Sequence, residues 1–293
     1  MKKFNLWASM IALFLCVGFT SCGDDDELQF SEEQLAYINK NKEYIWEKKA
    51  EKDENGELKY KQVVIGGDAY GGVTKFTYAD NKLVSVDDGD SKYTFAYSGN
   101  TVTMTSIYEY GNSKDTEVYT MNIGSNGFIS HGTGVYTEVY NNETYTSNTT
   151  MSFSYDKDGH LTTVQINEKD SDGDEYTTKI QLTWEDGNIT KTVENWTEKE
   201  DGDTDSGTNT RTSTYGGEVN KIGFSFFDEV VDLDELEYAY YAGLLGKSTK
   251  NMLKSVKSVD EGDYSYTSNY SYEFDGDYPT VFNSDGSKYK YTY

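Results

Sequence analysis

Tyr176-Thr177-Thr178-Lys179-Ile180-Gln181-Leu182-Thr183-Trp184-Glu185 is the stretch that decides the fold. Tyr176, Thr178, Ile180, Leu182 and Trp184 fall on one side of a strand, and Thr177, Lys179, Gln181, Thr183 and Glu185 on the other. A period of two puts one set against a core and leaves the other wet, as an antiparallel sheet allows. The same pattern sets Tyr93, Phe95 and Tyr97 against Thr94, Ala96 and Ser98, and Val102, Met104 and Tyr108 against Thr101, Thr103 and Thr105. It persists from Val73 to about Tyr215.

Turn pairs punctuate these runs: Asp88-Gly89, Gly99-Asn100, Asn126-Gly127, Asp158-Gly159, Asp172-Gly173, Asp186-Gly187 and Asp201-Gly202. Tight turns oblige each strand to pair with its sequence neighbour, which is a meander. A weak repeat points the same way. Phe153-Ser154-Tyr155, the turn at Asp158-Gly159, then Leu161 and Val164 have relatives at Phe76 to Val86, Leu182 to Val193 and Tyr272 to Val281. Each reads as a hairpin of aromatic strand, acidic turn and aliphatic strand. The fold class expected is therefore all-β, a long antiparallel meander curled into an open or closed barrel.

Two helices are expected beside it. Ser31 as cap, Gln34 three residues on, and the Phe30/Leu35 staple start a short N-terminal helix that fades near Asn41. Helical spacing predicts a second over 232–245, ending near Gly246. Between Tyr44 and Val64 the alternation gives a hairpin closed at Asn55-Gly56. The aromatic run Tyr264 to Phe274 begins a last hairpin with Pro279 at its return, and Tyr289 to Tyr293 ends the chain as a strand.

The N-terminus carries an address. Lys2 and Lys3, the apolar run Phe4 to Phe19, and Phe19-Thr20-Ser21-Cys22 read as a lipoprotein signal peptide over residues 1–21, with Cys22 the lipidated residue. Residues 22–30, with Gly23-Asp24-Asp25-Asp26-Glu27, form an acidic tether, and 31–293 a single all-β domain. An acidic run directly after the cysteine resembles a surface-export signal. Cell-surface exposure on the outer membrane is thus the first expectation, and a periplasm-facing anchor the second. Cys16 leaves with the signal, so the domain holds no disulfide, zinc–cysteine site or cysteine nucleophile.

Composition narrows the chemistry. The chain has 51 acidic residues against 26 basic ones and a net charge of −25. Such a surface repels phosphate backbones, so nucleic acid is excluded as a partner. Yet 27 tyrosines and 13 phenylalanines separate it from an acidic disordered tail. Its partners are expected to be the lipid bilayer, through acylated Cys22, and a glycan or protein ligand.

No catalytic set is marked. His131 and His160 are the two histidines, both read as exposed loop or turn residues, and no serine sits in a nucleophile elbow. Acids are too many for a glycosidase pair to be singled out. Calcium is the one cofactor candidate, at Asp170, Asp172 and Asp174 and at Asp201, Asp203 and Asp205, where alternate carboxylates on a turn suit hard-oxygen coordination. Neither loop fits the twelve-residue calcium pattern. Tyrosines on neighbouring strands either form stabilising cross-strand pairs or offer rings to a sugar or partner.

Three blocks resemble a known family. They are Phe76-Thr77-Tyr78 through Tyr97-Ser98-Gly99-Asn100-Thr101-Val102-Thr103; Tyr241-Ala242-Gly243-Leu244-Leu245-Gly246-Lys247-Ser248-Thr249-Lys250-Asn251; and Tyr272-Glu273-Phe274-Asp275-Gly276-Asp277-Tyr278-Pro279-Thr280. Together they are similar to the Bacteroides-type DUF4595 domain with a porin-like fold. The chain departs from it at Met252-Leu253, where a leucine–proline pair is expected. The resemblance implies a secreted or surface lipoprotein with a large antiparallel sheet and brings no functional residues. The function expected is that of a lipid-anchored binding or structural lipoprotein; the alternative is a hydrolase acting on polysaccharide through a carboxylate pair.

Overall fold

The computed structural model describes residues 61–292, apart from 68–72, 80–81, 142, 201, 221–226, 234–235, 261–263, 277 and 286. The expected signal peptide, Cys22, the expected tether, the helix expected after Ser31 and most of the expected Tyr44–Val64 hairpin lie outside the described residues. Sixteen strands follow one another among those described. The first half is β1 (Lys61–Gly67), β2 (Val73–Ala79), β3 (Lys82–Asp87), β4 (Ser91–Ser98), β5 (Thr101–Tyr110), β6 (Ser113–Ile123), β7 (Ile129–Tyr140) and β8 (Glu143–Tyr155). The second half is β9 (Leu161–Asp170), β10 (Glu175–Glu185), β11 (Asn188–Glu200), β12 (Asp203–Val219), β13 (Asn251–Val259), β14 (Ser265–Asp275), β15 (Tyr278–Ser284) and β16 (Ser287–Thr292).

Every strand pairs antiparallel with its sequence neighbours, and β1 pairs with both β2 and β16, so the meander closes into a barrel. The turn glycines explain how. Gly89, Gly99, Gly127, Gly159, Gly173, Gly187 and Gly202 all have positive φ. In Asp186-Gly187 both residues do, at 51° and 80°, the twist a two-residue hairpin needs.

Alternation decides which side chains enter the barrel. Along β10, Ile180 and Leu182 are buried while Thr177, Lys179, Gln181, Thr183 and Glu185 are exposed. Thr149 of β8 lies beside Glu168, Met151 beside Ile166 and Phe153 beside Val164 of β9, all on the inward face. The outward faces of the described strands are mainly threonine, serine, lysine and glutamate, broken by Ile107, Val135 and Val139 on β5 and β7. A barrel that crosses a bilayer shows lipid an apolar band about 25 Å tall. These strands present the reverse arrangement, with rings inside and hydroxyls out.

Between β12 and β13 the chain turns inward. Helices α1 (Phe227–Val231) and α2 (Glu237–Tyr241) bury Val230, Val231, Ala239, Tyr240 and Tyr241 against the inward faces of the strands. The single helix expected over 232–245 is corrected to these two. Asp232 adopts a left-handed backbone at φ 55°, which ends the first helix, and its carboxylate reaches Arg211 on β12. The second ends earlier than expected, at Gly243 rather than Gly246. Gly243 N–H bonds the Tyr240 carbonyl and Leu244 N–H the Ala239 carbonyl, with Gly243 at φ 76°. That is a Schellman stop, which needs a residue tolerant of positive φ at its C′ position.

The segment after α2 seals one end of the barrel, here called the floor. Leu244 accepts from Ile129 N–H, while Lys247 N–H donates to the Gly159 carbonyl and Lys250 N–H to the Gly187 carbonyl. The Leu244-Leu245-Gly246-Lys247 block is thus a strap across the hairpin turns. Gly246 lies so close that a Cβ would sit 3.0 Å from the Gly159 oxygen, at φ +94°. Gly246→Ala is therefore expected to destabilise the barrel by roughly 1–3 kcal/mol. Chemical unfolding measures this, and an unchanged midpoint would mean the strap does not close on the turn.

Aromatic side chains lock the same end. Tyr97 hydroxyl donates to the Leu83 carbonyl at 2.9 Å, Tyr155 to Ile129 at 2.8 Å and Tyr215 to Ile189 at 2.9 Å. The Trp184 indole donates to Leu161 at 2.7 Å. In each case a ring from the end of an even strand reaches the start of the preceding odd strand, its body in the core and its polar tip satisfied. Tyr155 and Trp184 are the aromatic ends of two of the repeat's hairpins.

Candidate ligand-binding site in the barrel mouth

At the opposite end, the mouth, the inward face changes character. Register places Tyr93, Ser106, Glu117, Tyr136, Ser147 and Asp170 side by side across β4 to β9. The next row outward is Ser91, Tyr108, Asp115, Glu138 and Tyr145. Farther round, Glu168, Tyr176, Glu198 and Asp205 neighbour one another on β9 to β12. Rings and carboxylates alternate here because strand parity that buries Tyr119 and Met121 on β6 also turns Asp115 and Glu117 inward.

A cavity of about 220 Å³ opens between β4 and β7, lined by Ser91, Tyr93, Ser106, Tyr108, Asp115, Glu117 and Tyr136. Its lining holds two carboxylates and no base. Burial pushes the Tyr136 hydroxyl up to about 12, and Asp115, Glu138 and Glu117 add to the effect, with a hydrogen bond to Asp115. Tyr93 is raised too, first by burial, while Ser106 and Ser91 bond its hydroxyl. The theme recurs round the mouth: Tyr145 hydroxyl donates to Asp170 at 2.8 Å, and Tyr176, bonded to Glu198, is pushed up to about 12. Ser147 hydroxyl donates to Glu168.

Arg211, the chain's single arginine, is the inward cation on β12. It is committed to Glu194, at 3.4 Å, and to Asp232 of the inward helical segment.

The residues singled out from sequence fall as follows. Asp170 and Asp174 flank the β9–β10 turn, and Asp203 and Asp205 lie just past the β11–β12 turn, so both acidic loops rim the mouth. One Asp170 oxygen accepts the backbone N–H groups of Asp172, Gly173 and Asp174, and the other accepts Tyr145. Desolvation alone would raise this carboxyl; those four donors outweigh it and hold it low. Its turn already uses the acceptors that a metal would need. Among the described residues no three acidic or imidazole side chains converge as ligands for a metal; Asp201 lies outside the described residues.

Both histidine readings are corrected in part. His160 is not simply exposed: its ring stacks on Trp184 at 4.4 Å and bonds the Asp156 carboxylate at 2.9 Å. Stacking and hydrogen bonding give the imidazole a fixed structural place at the floor. His131 is exposed but lies in β7, not a loop, beside Ser130 Oγ at 2.9 Å. The strand survives two glycines because Tyr119 fills the space over Gly134, where a Cβ would meet the ring at 2.6 Å.

The carboxyls of Asp156, Asp170 and Glu175 are held below their ordinary range. For Asp156, burial pulls upward and the His160 and Asp158 bonds prevail; for Glu175, Lys169 and Lys199 do it. A general acid needs the opposite shift.

The cavity acids Asp115 and Glu117, the neighbouring Glu138 and the rings Tyr108 and Tyr136 were not singled out from sequence as a site. The available signal was parity, since Asp115 and Glu117 share the register of Tyr119 and Met121.

A porin-like protein from Bacteroides vulgatus ATCC 8482 has a similar crystal structure, with a TM-score of 0.56 at 15% identity, over 80% of this chain and 98% of that one. One from Bacteroides uniformis ATCC 8492 gives 0.47 at 16% identity, over 80% and 97%. No curated protein matches the chain. Residues 101–280 match the family described as "Domain of unknown function (DUF4595) with porin-like fold", a span that takes in β5 to β14, the inward helices and the floor strap. The chain belongs to that family.

Proposed function

We propose that this chain is a lipid-anchored binding protein of the cell envelope, held at the outer surface through Cys22, whose barrel mouth captures a glycan unit or a protein side chain. The cavity lined by Tyr93, Tyr108, Tyr136, Asp115 and Glu117 carries this reading. A concave site with apolar bodies and a few convergent polar groups is how small ligands are held. The polar outer faces of the strands support attachment by acyl chains and a tether, since they offer lipid no apolar band.

Two measurements test the reading. Screening the purified full chain on glycan and peptide arrays should give binding that Tyr108→Ala weakens about tenfold or more, roughly 1.4 kcal/mol. Ligands that bind the variant and the parent alike would place recognition elsewhere. Metabolic labelling with palmitate should mark the parent and not Cys22→Ser; an unlabelled parent would remove the anchor.

A further inference from the structure

Thr192 and Glu194 are two residues apart on β11 and share its inward face. Register sets Thr192 between Leu182 of β10 and Arg211 of β12. Thr192 is 1% exposed, and among the described residues its Oγ1 meets no hydrogen-bond partner. A buried hydroxyl without a partner gives up its hydration for no return, so such groups are few in folded proteins. Valine has nearly the same shape, suits a strand at least as well and buries no polar atom.

The groups beside Thr192 have bonding capacity to spare. Arg211 carries five N–H donors. One bonds Glu194 Oε2 at 3.4 Å, and one bonds Asp232 Oδ2. Asn209 Nδ2 donates to the same Glu194 Oε2 at 3.2 Å, so among the described residues neither bond falls on Oε1. Ser258 flanks Arg211 on the β13 side and is buried as well. A hydroxyl, spare N–H donors and a carboxylate oxygen thus occupy neighbouring inward positions.

That inventory selects the ligand. An anion is opposed by Glu194 and Asp232, which already outnumber the guanidinium. A metal cation is opposed by the guanidinium, and among the described residues no set of acidic ligands converges here. An apolar group would leave every one of these polar groups unpaired. Water offers two donors and two acceptors in a small volume, and a buried water typically makes about three hydrogen bonds.

We infer that an ordered water is bound inside the barrel at Thr192, accepting from an Arg211 N–H, donating to Glu194 Oε1 and sharing a hydrogen bond with Thr192 Oγ1. The water completes the group in which Arg211 ties β11 and β12 to Asp232 of the inward helical segment. Its site is independent of any ligand at the mouth.

Denaturant unfolding of Thr192→Val in the purified full chain reads the sign of the effect. With the water bound, valine removes one of its partners, and the unfolding equilibrium constant should rise about fivefold or more. Without it, valine replaces an unpaired hydroxyl by a methyl group, and the constant should stay level or fall. A crystal structure of the parent makes the second measurement and stands even if the variant fails to fold. It should show a water within about 3.2 Å of both Thr192 Oγ1 and Glu194 Oε1. A level or falling constant would overturn the inference. So would a parent structure with Thr192 Oγ1 bonded directly to a protein group and no water beside it, whatever the variant's stability.

Discussion

Phe76→Ala is expected to cost the folded barrel about 3–5 kcal/mol, the range for deleting a buried aromatic side chain. Phe76 is 1% exposed on the inward face of β2. It meets Tyr238 edge-on at 5.9 Å and Tyr241 at 5.7 Å, so it is the point where the strand wall grips helix α2. Its loss opens a cavity between wall and helix, which neither can close alone because each is tied elsewhere. Tyr241 leads into the floor strap, and β2 is paired on both sides. Denaturant unfolding should show the full loss in the midpoint. A loss below about 1 kcal/mol would mean that the helical segment does not pack inside.

Arg211→Ala is expected to cost about 3–5 kcal/mol for a different reason: it strands charges. The Arg211 side chain is 11% exposed and that of Glu194 12%, so each depends on the other for what water would otherwise supply. Asp232, more open at 39%, brings the inward segment to the same guanidinium. Asn209 also donates to Glu194, at 3.2 Å, and cannot replace a charge. Replacing the whole group by uncharged residues of similar volume should be far less harmful than removing the arginine alone, because no buried charge then remains. Unfolding of Arg211→Ala beside Arg211→Met/Glu194→Gln/Asp232→Asn makes the comparison. Equal losses in both would show that packing, not charge, sets the cost.

Strand parity explains how much of this structure could be read from sequence. The Tyr176–Glu185 alternation, the glycine turns and the hairpin repeat each follow from local geometry, and local geometry survives into the fold. The β7 glycines misled because His131-Gly132-Thr133-Gly134 has Thr133 as its one strand former. Tyr119 and Met121 across the pair supply the bulk, and that is a fact about a neighbour. The break at Asp232 was hidden for a related reason. Asp228 to Leu236 has helical spacing, and what interrupts it is an arginine 21 residues earlier on another element.

The candidate site was partly legible. Tyrosine and acid were visible as composition, and the acidic loops lie at the rim of the mouth as their turns require. Attention went to those loops because carboxylates there are dense. In the structure Asp170 spends its oxygens on its own turn and on Tyr145. The inward acids Asp115 and Glu117 sit in an unremarkable polar strand and stand out only when register places them opposite Tyr108 and Tyr136.

Single cysteines along β10 test the arrangement most directly, in a background with Cys16 and Cys22 replaced by serine. With the barrel as described, Thr177→Cys, Lys179→Cys, Gln181→Cys and Thr183→Cys react quickly with a water-soluble maleimide in the native protein. Ile180→Cys and Leu182→Cys stay protected until denaturant is added. Rapid labelling at positions 180 and 182, or no alternation along the strand, would contradict an inward aromatic face and with it the enclosed mouth.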